Sequence, residues 1–313
     1  MERHQVTIYI GALVTGALVG WTVPAAGPGL AHAINPVLGL VLYVTFLQVP
    51  VADLGRSLRA GRFLVAALVV NFVVVPLVVA AMFAFLPDDR AVQLGVLLVL
   101  LAPCVDYVIV FSGLAGGNSR QLLAATPLLL IAQMLLLPGF LYLFLGSGLS
   151  DAVEAGPFVE AFVVLILIPL GLAWLTQAWA ARRTSGQRVA EAMGTTMVPS
   201  MALTLAIVVA SQIPKLDDGF TYVAQVVPFF VVFLVIMAFA GVAVARLFRL
   251  DVPAGRAIVF TGATRNSLVV LPLALALPDV LSAAAVVVVT QTLVEVVGMV
   301  LYGRAVPRLL PAR

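Results

Sequence analysis

Two short segments of an otherwise apolar chain carry side chains able to bind or charge a solute. The first reads Leu101-Ala102-Pro103-Cys104-Val105-Asp106-Tyr107, and the second Thr261-Gly262-Ala263-Thr264-Arg265-Asn266-Ser267. Cys104 is either a soft sulfur ligand for a thiophilic solute or a small buried hydrophobe. Asp106 and Arg265 place one charge of each sign in matching positions. Pro103 removes a backbone donor and frees carbonyls, and Thr264, Asn266 and Ser267 add neutral polar groups. A glutamine follows each segment, Gln133 after the first and Gln291 after the second. Asn71, Gln133 and Gln291 serve either the same site or the packing of helices. Glu295 is a proton carrier or an acid facing a wet vestibule.

The elements that must hold these residues follow from composition. Hydrophobic residues make up 63% of the chain, charged residues 10%, and the mean hydropathy is +1.18. An ordinary globular domain carries about 25% charged residues, so this chain is solvated by a lipid bilayer. A soluble enzyme, a nucleic-acid-binding domain and a disulfide-stapled module are excluded. The single cysteine allows no internal disulfide and no Cys-rich metal site. No cofactor and no metal centre are expected.

A spanning helix needs about 20 apolar residues. Ten candidates lie at Gln5–Ala25, Ala33–Ala52, Phe63–Leu86, Ala91–Ala115, Arg120–Gly146, Gly156–Ala180, Val189–Ile213, Phe220–Leu247, Ala254–Leu277 and Ser282–Gly303. Ala31-His32-Ala33 imitates a signal-peptide cleavage site, but the long first run and the nine that follow favour an uncleaved first span. With alternate loops assigned to opposite sides, fourteen of the seventeen Lys and Arg residues fall on one side. Only Arg90 and Lys215 fall on the other, and Arg265 lies inside a span. The positive-inside rule then puts both termini in the cytoplasm of a multi-pass cell-membrane protein. Ten spans divide into two sets of five, residues 1–150 and 151–313, with the second inverted, as in many secondary transporters. The fourth and ninth spans hold the two polar segments and are expected to be broken there. Broken backbone at membrane depth is tolerated where it is buried or lines a cavity. A charge at mid-span costs about 2.5–3.5 kcal/mol, and an Arg–Asp pair about 4 Å apart recovers roughly 4 kcal/mol at an effective dielectric near 20. Asp106 and Arg265 are therefore expected to meet.

Leu101-Ala102-Pro103-Cys104, the following Phe111-Ser112-Gly113-Leu114-Ala115 and the Gly-Gly-Asn turn resemble the fourth span of arsenite efflux permeases. These belong to the bile acid/arsenite/riboflavin transporter superfamily. Asn71-Phe72-Val73-Val74-Val75-Pro76-Leu77 resembles their third span, Phe260 to Asn266 their ninth, and Thr292-Leu293-Val294-Glu295-Val296 their last. The resemblance implies an all-α fold of two inverted five-helix repeats. A core domain of spans 3–5 and 8–10 would carry the crossed broken helices, and a panel domain would comprise spans 1, 2, 6 and 7. It also implies an alternating-access antiporter conferring arsenite resistance, with Pro103, Cys104 and Ser112 near the solute. This chain departs at Asp106, Arg265 and Leu268. Sodium-coupled relatives hold their ion through an acid and an amide of the ninth span, and Thr261 and Arg265 stand at those positions. Protons are therefore expected to couple transport in place of sodium. Uptake of a small organic anion is the rival expectation, and an intramembrane enzyme or sensor a remote one.

Overall fold

The computed structural model describes residues 5–47, 61–104, 107–146, 160, 163–212, 216–275 and 277–311. Among these the chain is all-α, with no strand and one isolated bridge. The helices are α1 (Gln5–Thr22), α2 (Gly27–Leu47), α3 (Gly61–Phe83), α4 (Arg90–Leu100), α5 (Tyr107–Leu114), α6 (Ser119–Leu145), α7 (Ile168–Ala180) and α8 (Thr184–Thr195). They continue with α9 (Met197–Gln212), α10 (Leu216–Leu247), α11 (Val252–Ala263), α12 (Ser267–Leu275) and α13 (Ala283–Leu309).

Four helical stretches are long and apolar enough to cross a membrane: Gly61–Phe83, Leu128–Leu145, Val223–Leu247 and Ala283–Leu309. The pair Thr184–Thr195 and Met197–Ser211, bent by 43°, would make a fifth. Ten apolar runs thus yield fewer continuous spanning helices among the described residues. Both polar segments interrupt their runs, so α4 and α11 stop short of a membrane thickness. The run expected at Val189–Ile213 is also not straight. Its first part belongs to the polar α8, and Pro199 lies in the first turn of α9, where a missing N–H has no helical partner to lose.

Prolines shape two further helices. Pro76 and Pro169 each follow a π turn, at Val70–Val74 and Val163–Leu167. A proline ring clashes with the carbonyl four residues back, and a widened turn makes room for it. These are local expansions of the helix and not the simple kinks that the prolines alone suggest.

The chain divides into two compact units. One comprises Met1–Val51, Ala155–Thr221 and Leu271–Leu277. Within it, Gly16 of α1 lies against the backbone of Ala206 in α9, where a Cβ would come within 2.5 Å of the Ala206 carbonyl oxygen. Gly16 thus serves close helix packing. Gln177 of α7 donates to the carbonyls of Phe46 and Leu47, satisfying orphan acceptors at the end of α2.

The other unit comprises Ala52–Glu154, Tyr222–Val270 and Pro278–Arg313. Its centre is formed by α4 and α11, which are buried nearly all round. Both start at an aspartate cap: Asp89 accepts from Ala91 and Val92, and Asp251 accepts from Ala254. Gly95 lets α4 approach α13, since a Cβ there would lie 2.8 Å from the Ala284 carbonyl. The outer faces carry exposed apolar side chains such as Leu135, Leu143, Phe239 and Val297. Apolar outside as well as inside, the unit is built for lipid.

Candidate functional site

The two broken segments meet backbone to backbone. Cys104 N–H donates to the Thr264 carbonyl at 3.2 Å, and Asn266 N–H to the Ala102 carbonyl at 2.7 Å. Pro103 and Arg265 therefore face one another as an antiparallel pair. In this kind of pair the facing residues exchange no hydrogen bonds with each other. A proline fits there without leaving an acceptor unmet. Pro103 ends α4 and permits the crossing at once.

Arg265 is wholly buried and among the largest such side chains in the protein. Its guanidinium gathers oxygens from three helices. Nη1 donates to the Leu100 carbonyl at 3.1 Å, the last residue of α4. Nη2 lies 2.8 Å from the Thr261 carbonyl, 2.6 Å from that of Gly262 and 2.9 Å from Asn71 Oδ1. The ring of Phe233 stands 5.8 Å from Cζ, within cation–π range. The C-terminal ends of α4 and α11 carry partial negative charge, and the guanidinium sits against both.

The remaining candidates take definite places. Asn71 lies in the π turn of α3, and its Nδ2 donates to Ala67 and to Thr261 Oγ1. Glu295 is buried, and its Oε2 accepts the Arg265 backbone N–H at 2.8 Å and the Gln291 amide. Thr264 turns its hydroxyl back to the Phe260 carbonyl. Asn266 caps α12, accepting from Val269 N–H at 3.3 Å. Its Nδ2, Ser267 Oγ, Gln133 Oε1 and Gln291 Oε1 are buried with no hydrogen-bond partner. Ser112 is buried on α5 against the turn at Gly117, whose N–H donates to the Ser112 carbonyl. This places it at the closing turn of α5 and gives it no bond to the crossing. Asp106 lies outside the described residues, and so does any meeting of Asp106 with Arg265.

The guanidinium of Arg265 is directed at helix-end carbonyls and the Asn71 amide. Phe233, Leu100 and Gly262 take part without having been singled out. Leu100 and Gly262 contribute backbone oxygens that no residue type announces. Phe233 was one of many phenylalanines. No group of three or more His, Cys, Asp and Glu side chains able to hold a metal occurs among the described residues.

A buried crossing of two interrupted helices, with unsatisfied polar atoms beside it, suits a solute-binding centre within a bilayer. Residues 35–217 match the sodium bile acid symporter family. No curated protein matches the chain. The match spans more than half of the sequence and agrees with the apolar helices of a multi-pass membrane protein. The chain belongs to the sodium bile acid symporter family, whose members are membrane transporters and not enzymes.

Proposed function

We propose that the protein is an alternating-access antiporter that exports arsenite or antimonite across the cell membrane in exchange for protons. In this reading it has ten spans in two inverted repeats, 1–150 and 151–313, with both termini cytoplasmic. The two compact units act as panel and core. The observation that carries the substrate reading is the position of Cys104. It is buried, and its backbone is bonded to Thr264 at the crossing. Trivalent arsenic is thiophilic, and a thiolate ligand suits it. Its hydroxyl groups both donate and accept hydrogen bonds. Asn266 Nδ2 offers a donor, Gln291 Oε1 an acceptor and Ser267 Oγ either.

Glu295 carries the coupling proton in this reading, with Asp106 as the second acid. The Glu295 carboxylate is bonded to the Arg265 backbone, so its charge state acts directly on the crossing. A metalloid-sensitive host expressing the protein tests the substrate. Resistance to arsenite, lost in Cys104→Ser, is the expected result. Flux in proteoliposomes with imposed sodium or proton gradients tests the coupling, and sodium-dependent flux at constant pH would refute it.

One observation favours a second reading, transport of a small organic anion. Asn266 Nδ2 and Ser267 Oγ stand at the N-terminal end of α12, where a helix favours negative charge. Thermal stabilisation of the purified protein by small carboxylates, with none by arsenite, would select it.

A further inference from the structure

The two faces of α13 differ along their whole length. Gln291, Glu295, Met299, Tyr302 and Val306 are buried. Leu293, Val297, Val300, Leu301, Arg304 and Arg308 are exposed, Val297 by 65% and Leu301 by 59%. Steps of three and four residues keep these six on one stripe. From Leu293 to Leu301 the stripe is apolar for about 12 Å, close to the roughly 15 Å of one hydrocarbon leaflet. Arg304 and Arg308 follow about 5 and 11 Å further along the axis, at the depth of lipid headgroups.

α10 repeats the pattern, with Val231, Val235 and Phe239 exposed ahead of an exposed Arg246. The ends of the two helices converge, since a Cβ at Gly255 of α11 would lie 3.2 Å from Ala245 Cβ and 3.3 Å from Leu310 Cδ1. A bond from Leu250 N–H to the Ala245 carbonyl at 3.0 Å closes α10 and leaves Arg249 at a φ of +50°. Glycine usually takes that place, so a cation stands there against backbone preference. The other charges at this end are engaged within the protein. Asp251 caps α11, and Arg256 donates to the carbonyls of Leu310 and Ala115. The side chains of Arg246, Arg249, Arg304 and Arg308 make no hydrogen bond or ion pair among the described residues. Arg304 and Arg308, one helical turn apart, repel each other, and an anion between them turns that repulsion into attraction.

We propose that the outward faces of α10 and α13 form a binding site for an anionic phospholipid. Arg304 and Arg308, with Arg246 and Arg249 at the adjoining helix end, take the phosphate, and the apolar stripes take the acyl chains. Guanidinium groups suit phosphate because they bind it through two parallel hydrogen bonds. A free phosphate would use the arginines alone. The unbroken run from apolar to basic residues on each helix matches a lipid from chain to headgroup. Lipid on this face steadies the helix whose opposite face bears Glu295.

The site depends on the bilayer and not on which solute is carried. Its test uses no substrate, so its failure and the failure of the arsenite reading are separate results. The native protein, the double variant Arg304→Gln/Arg308→Gln and the control Arg182→Gln/Arg183→Gln are purified in a mild detergent. Their melting temperatures are followed against added phosphatidylglycerol, phosphatidylcholine and inorganic phosphate. Phosphatidylglycerol should raise the melting temperature of the native protein and of the control along a saturating curve, and the other two additives should not. The double variant should lose about half or more of that rise. No response of the native protein to phosphatidylglycerol overturns the proposal, and so does an equal rise with phosphatidylcholine. An equal rise with phosphate means a free-anion site and also overturns it. A double variant that responds like the native protein, or a control that loses as much as the double variant, does the same. Should the double variant yield no monodisperse protein, Arg304→Gln alone takes its place under the same criteria.

Discussion

The Glu295 carboxylate accepts the backbone N–H of Arg265 at 2.8 Å, so α13 is bonded to the turn between α11 and α12 through a group that nearly every residue possesses. Substitution at position 265 leaves this bond available, while substitution at 295 removes it. The two positions should therefore give different phenotypes. Glu295→Ala strands the Arg265 N–H and the Gln291 amide, at a cost of about 1–3 kcal/mol per buried group. Its melting temperature should fall clearly. Glu295→Gln keeps an acceptor for Arg265, and should stay folded while flux no longer responds to a proton gradient. Proton-driven flux in Glu295→Gln would remove this residue from the coupling role.

Asn71→Ala should destabilise the purified protein by about 1–3 kcal/mol through the loss of an acceptor at a buried guanidinium. Asn71→Asp should behave differently, since it keeps Oδ1 opposite Nη2 and adds a negative charge beside a positive one. Thermal melting of the two variants side by side checks the order.

The bond of Cys104 to Thr264 is made by its backbone N–H, so Cys104→Ser retains it. The variant is expected to express and melt like the native protein and to lose arsenite resistance. Unchanged resistance would return Cys104 to a packing role.

Gly95 and Gly139 make a paired test of packing. A Cβ at Gly95 meets the Ala284 carbonyl at 2.8 Å, whereas one at Gly139 meets nothing within 4 Å. Gly95→Ala should lower the melting temperature as α4 is pushed from α13. Gly139→Ala should be neutral, or stabilising by up to about 1 kcal/mol through helix propensity.

Reporter tags at both termini and in the Arg182–Arg188 loop are expected to read cytoplasmic, and a tag near Asp151 external. A cytoplasmic reading at Asp151 would end the ten-span arrangement.

Interrupted helices were legible in the sequence because Pro103 and the run from Thr264 to Ser267 are polar or rigid residues within apolar runs. Arg265 stood out for the same reason. Its environment did not, because it donates to the main-chain carbonyls of Leu100, Thr261 and Gly262. Backbone acceptors depend on where a helix stops, and composition does not encode that to within a residue. Ser112 and Glu295 show the converse. Both are polar residues in apolar surroundings, yet one is bonded to the crossing and the other closes a turn. Side-chain type marks a residue as unusual, while contacts across helices decide its part.

The π turn in α3 has a consequence for reading this chain beside others. Phe63, Ala67, Asn71, Val75 and Val79 are all buried at a constant interval of four. In a regular α-helix such an interval drifts about 40° around the axis at each step, so the last of the five would face well away from the first. The additional residue at Val70–Val74 absorbs part of that drift and keeps the stripe on one side. Deleting a single residue there would restore the regular ladder and rotate everything after it by about 100°. A gapless residue count from Gly61 against a straight helix would thus assign Val75 and Val79 the wrong neighbours.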